Sequence, residues 1–137
     1  MGKEHDAYVQ FLIQHLGDLY LAEGHYDRLA TRLEEIVHLE NGQVYMYLSI
    51  AFARRGDLEQ GRHYADRAFT LATPGTEDQA RCLNNLAGIA ALTHEYGQAL
   101  KYLHEAQKVI ETLYADSHPM VQSGRANIRD LEKRMEL

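Results

Sequence analysis

The run LNNLAGIAALTHEYGQALKYLHEA, from Leu83 to Ala106, constrains this chain more than any other stretch. Leu83, Leu86, Ala87 and Ala90 recur at spacings of three and four, which puts them on one face of a helix. Thr93-His94-Glu95 interrupts the pattern, and Tyr96, Ala99, Leu100, Leu103 and Ala106 rebuild it. The stretch reads as two helices joined by a tight turn, with small residues where the backbones approach. A helix pair of this kind cannot bury its own apolar face, so the chain must contain others.

Two further stretches repeat the pattern. Ile13, Leu16, Gly17 and Tyr20 precede a turn at Glu23-Gly24-His25, and Tyr26, Leu29, Leu33 and Ile36 follow it. Tyr45, Leu48, Ser49 and Phe52 precede Arg55-Gly56-Asp57, and Leu58, Gly61, Ala65 and Ala68 follow. Gly24, Gly56 and His94 align as the turn residues. With two prolines and no strand pattern, the fold class is all-α. The first helix is predicted over about 6–22. The second follows Gly24 and stops at Glu40-Asn41-Gly42, and the third covers about 43–55. Asp57 with Gln60 caps the fourth, which ends before Thr73-Pro74-Gly75, and Thr76 with Gln79 caps the fifth. The sixth covers about 96–114, and Pro119 opens a last helix.

The three units resemble tetratricopeptide repeats (TPRs), helix-turn-helix modules of about 34 residues. The LNNLA run, together with His118-Pro119-Met120-Val121, is similar to repeats of the kinesin-light-chain type. The resemblance implies one domain over 1–137, a right-handed superhelix of three repeats at about 6–40, 42–73 and 76–114, closed by a capping helix at 119–136. Large Leu29 and Ile36 stand where small residues are usual, and Ala90 stands where an aromatic is usual, so packing there departs from the family's. Val121, Gly124, Ile128, Leu131 and Met135 give the last helix an apolar side, and Arg125, Arg129, Asp130, Glu132, Lys133 and Arg134 give it a charged one. That pattern suits a solenoid cap. The same spacing suits a dimer seam.

In such stacks the first helix of each pair lines a concave groove. Its positions fall at Gln14 and Asp18, beside His15; at Tyr47, Ile50 and Arg54, beside Gln43 and Met46; and at Arg81, Asn84, Asn85 and Gly88. An asparagine amide both donates to and accepts from a peptide main chain. In the kinesin-light-chain type the equivalent asparagines hold an extended peptide, which implies that role for Asn84 and Asn85. Tyr47 and Ile50 would add apolar contact, Gly88 room, and Arg54 and Arg81 a partner for an acidic group. Another TPR class clamps the carboxylate tails of heat-shock chaperones. Gln14, Asp18 and Tyr47 replace most of that clamp, and Asp18 repels a carboxylate, so tail binding is not expected. The function expected is a protein–protein interaction module that binds an extended peptide or helix of a partner. The alternatives are a small secretion-type chaperone and a self-associating scaffold, a homo-oligomer.

Other chemistries find little support. A formal charge of −6 disfavours general nucleic-acid binding, which needs surplus Lys and Arg. No apolar run approaches the roughly 20 residues of a membrane span. The start MGKEHDAY lacks an apolar signal core, and Cys82 is the one cysteine, so a cytoplasmic protein is expected. The eight histidines include no pair at three or four apart, and Glu35-Ile36-Val37-His38 is a lone ExxH unit, so no metal is expected. Gly56 to His63 mimics a phosphate loop but lacks its Lys and Ser/Thr. Cys82 reads as a buried thiol. No nucleophile, base and orienter assemble, so neither an enzyme nor a cofactor is expected.

Overall fold

The computed structural model describes residues 2–36 and 41–136, with side chains from residue 13 onward. Among these residues the chain forms seven helices and no strand. They are α1 (Gly2–Glu23), α2 (Tyr26–Glu34), α3 (Gly42–Arg54), α4 (Leu58–Leu71), α5 (Glu77–Leu92), α6 (Tyr96–Leu113) and α7 (Pro119–Met135). The all-α expectation holds. The chain divides into two compact units, Met1–Leu71 with α1–α4 and Ala72–Leu137 with α5–α7.

The three aligned turns share one backbone geometry. Gly24, Gly56 and His94 have φ of 74°, 94° and 62°. At each, the next residue donates its N–H to the carbonyl five residues back: His25 to Tyr20 at 2.9 Å, Asp57 to Phe52 at 2.9 Å, and Glu95 to Ala90 at 2.8 Å. The turn residue itself bonds three back, to Leu21, Ala53 and Ala91. This is the left-handed helix stop that glycine favours because it lacks Cβ. Histidine is among the non-glycine residues that tolerate the region.

Start signals also act as read. Asp57 accepts from Gln60 N at 3.2 Å, and Thr76 from Gln79 N at 3.3 Å. His118 Nδ1 accepts from Met120 N at 3.1 Å, with Pro119 opening α7. One signal requires correction. Asn41-Gly42, read as a helix stop, starts α3: Asn41 Oδ1 accepts from the N–H groups of Gln43 and Val44 at 2.8 and 3.3 Å. Asparagine suits both kinds of helix end, so its type alone did not set the sense. The expected course of the second helix over 37–40 lies outside the described residues.

In the first unit the core joins Ile13 of α1, Leu29, Ala30 and Leu33 of α2, and Val44, Tyr47, Leu48, Ala51 and Phe52 of α3. Gly61 lets α4 approach α3. A Cβ there would lie 3.2 Å from both Ala53 Cβ and the Ser49 carbonyl, and buried Ser49 donates its hydroxyl to Gly61 O at 2.6 Å. Leu16 was expected to pack but is 47% exposed, as Leu19 is at 49%. The packed face of α1 is centred on Ile13, Gly17 and Tyr20, and Leu16 lies about 100° from Gly17 around the helix.

In the second unit α6 packs between α5 and α7, and Ala90, Ala99 and Leu131 form one cluster. Val121, Ile128 and Leu131 of α7 are buried, so most of its apolar side is covered within the chain, while Met135 stays exposed. Gly124 leaves the space that Gln107 occupies, and Gln107 Nε2 donates to Val121 O at 3.1 Å.

Candidate functional site

The nine residues singled out from the sequence fall in two sets, one in each unit. In the first unit Gln14, Asp18 and Tyr47 meet; Gln14 and Asp18 are exposed, and Tyr47 is not. Tyr47 is 4% exposed and belongs to the core. Its hydroxyl donates to Asp18 Oδ1 at 2.7 Å and to the Gln14 carbonyl at 3.3 Å. Its ring fills a slot at Gly17, where a Cβ would sit 2.6 Å from ring carbons. The expected ligand contact by Tyr47 is therefore corrected. The helical count found its face, but the missing side chain at Gly17 turned that face into an α1–α3 joint. Ile50 is half-buried and Arg54 exposed, the latter 6.0 Å from the Tyr26 ring centroid.

The second set lies together on α5. This helix buries Ala80, Cys82, Leu83, Leu86, Ala87, Ile89 and Ala90. Its exposed positions include Asp78, Arg81, Asn84, Gly88 and Leu92, and Asn85 is half-buried. Spacings of three and four put these on one side of the helix. A Cβ added at Gly88 would meet nothing within 4 Å, so the surface there is open.

Arg81 is already engaged. Its Nη2 lies 3.1 Å from Glu77 Oε1, one helical turn away. Glu77 Oε2 accepts from the Tyr114 hydroxyl at 2.7 Å. That hydrogen bond first, then the nearby charge of Arg81, holds Glu77 below the usual carboxylate range. The same bond raises the Tyr114 phenol. The Tyr114 ring stacks on His118 with centroids 4.0 Å apart. Arg81, expected to answer an acidic ligand, is paired in the structure with Glu77 of its own helix. Cys82 faces inward, 5% exposed, and burial pushes its thiol up to about 11. A protonated, buried thiol is a poor nucleophile.

The sequence reading missed Leu92, which is 59% exposed at the end of α5. The count that found Arg81, Asn85 and Gly88 reaches Leu92 one step further on. Among the described residues no three His, Cys, Asp or Glu side chains converge, and no helix is long and apolar enough to cross a membrane.

No protein-family model matches the chain. It is 22% identical over 143 residues to the RxLR effector protein SFI4 of Phytophthora infestans, a match covering 94% of this chain. The chain spans 42% of that protein's length. Among solved structures it resembles the Yersinia enterocolitica type III secretion translocator chaperone SycD, with a TM-score of 0.76 at 12% identity. That match covers 96% of this chain and 88% of the chaperone. At this identity the likeness is one of fold.

Proposed function

We propose that the chain is a TPR-like protein-interaction module of three helix pairs and a terminal helix, with binding rather than catalysis as its role. It holds an extended segment or helix of a partner protein against the exposed side of a first helix, with α5 as the principal contact. One observation carries the reading. The buried side of α5 is wholly apolar, whereas its exposed side presents the Asn84 amide beside an open backbone at Gly88. The Asn84 amide supplies both the donor and the acceptor that a peptide main chain needs, and the missing side chain at Gly88 leaves room for the chain to approach. The three like turns support the repeat reading.

A second reading is the small secretion-type chaperone, favoured by the fold likeness to the translocator chaperone. It uses the same surface on a different partner, an exported protein kept soluble until export. The likeness to part of a longer effector protein fits a module reused inside larger chains.

The test is capture of a partner, then titration of Asn84→Ala beside the parent, with a melt of each. The expected loss is about 0.5–1.5 kcal/mol, the net worth of a hydrogen bond, at an unchanged melt. Equal affinity for parent and variant would remove α5 from the binding surface. An exported protein as partner, insoluble without the chain, would favour the chaperone reading.

A further inference from the structure

The chemistry along α5 is polar in a directional sense, and this inference rests on the reading of α5 as the binding surface. At the start of the helix Glu77, Asp78 and Arg81 sum to one negative charge, with Arg81 bound to Glu77. The middle, at Asn84 and Gly88, is uncharged, and the end at Leu92 is apolar and 59% exposed. The chain as a whole carries −6. The complement of such a surface is basic at one end and apolar at the other.

We propose that α5 selects extended peptides that carry a Lys or Arg near Asp78 and an apolar side chain on Leu92, about six residues apart. The separation follows from geometry. Fourteen residues of helix rise about 21 Å, and an extended chain covers that in about six residues at roughly 3.4 Å each. Six is even, so both side chains point to the same side of the peptide and reach α5 together. Between them Asn84 holds the main chain, and Gly88 lets it come close. The positive end of the helix dipole offsets part of the charge at Asp78, so the basic contact is the weaker and more salt-sensitive anchor.

The probe is a set of fluorescein-labelled peptides built on Ser and Ala, each with one Lys and one Leu at varied separation, in both orders. They are titrated against the full chain by fluorescence anisotropy. Binding is expected to be tightest at a separation of six and to fall about two- to threefold when Glu replaces Lys. Leu92→Ser should remove the preference for Leu over Ser, weakening the best peptide about tenfold, while the preference for Lys remains. Asp78→Lys should reverse the preference between Lys and Glu. Leu113→Ser, at an exposed leucine on α6, should change nothing. Affinity independent of separation, or a preference for Glu in the parent, overturns this inference. The α5 reading then stands if Asn84→Ala still weakens binding, and falls with it if Asn84→Ala binds like the parent. Failure of every peptide to bind overturns this inference, and titration of the captured partner against Asn84→Ala then decides the α5 reading.

Discussion

Tyr47 joins α1 to α3 by two separable contacts, its ring in the Gly17 slot and its hydroxyl on Asp18. Removing the ring leaves a cavity, so Tyr47→Ala should cost about 3–5 kcal/mol in urea denaturation. Tyr47→Phe loses only the hydrogen bonds, about 1 kcal/mol. Gly17→Ala should destabilise by about 1–3 kcal/mol, since its Cβ would overlap the ring. Gly56 presents the opposite case. Nothing lies within 4 Å of a Cβ there, yet its φ of 94° is left-handed. Gly56→Ala should therefore cost about 1–2 kcal/mol through the backbone alone. The sequence revealed Gly56 as a turn, because the need for positive φ is local. It did not reveal the role of Tyr47, because that depends on which neighbouring surface lacks a side chain.

At the scale of elements, the spacing of Val121, Ile128 and Leu131 reads as a solenoid cap, with a dimer seam as the alternative. Their burial assigns most of the apolar side of α7 to packing within its own unit. Leu131→Ala should cost about 2–5 kcal/mol, and Met135→Ala, at 45% exposure, less than about 0.5 kcal/mol. Removing residues 119–137 should lower the melting temperature and promote aggregation; an unchanged melt of a monomeric truncated chain would contradict the packing. The Glu77–Tyr114 bond links the start of α5 to the end of α6 and needs a carboxylate facing an un-ionised phenol. Glu77 lies below its ordinary value of 4.5, so its contribution is present above that value and lost as pH falls through the lowered one. Tyr114 lies above its ordinary value of 10.0, so its contribution is present below that value and lost as pH rises through the raised one. The deficit of Tyr114→Phe, from denaturation curves across pH, should be largest between these limits and vanish beyond each. Helix starts and stops were legible where a cap was paired with a turn residue, as at Gly56-Asp57 and Gly75-Thr76. They failed at Asn41, where one residue type serves either end.

For the molecule as a whole, the periodic apolar pattern revealed the all-α class because it is set by residues a turn apart. The candidate site was less legible. Groove positions follow from a count along one helix, but whether a position is open depends on what lies across from it. Arg81 is met by Glu77, Tyr47 is buried, and Leu92 stands out. The charge of −6 and the apolar end of α5 together favour a basic, partly apolar partner, and binding should weaken as salt rises. On the proposed reading, α5 offers its exposed side to a partner peptide. Two-dimensional amide NMR of the uniformly labelled chain, titrated with the best-binding peptide, tests it most directly. Shifts should concentrate at Arg81, Asn84, Asn85, Gly88 and Leu92, and should need about two- to tenfold more peptide to appear in Asn84→Ala. Shifts centred instead on α6 or α7, with α5 silent, would contradict it.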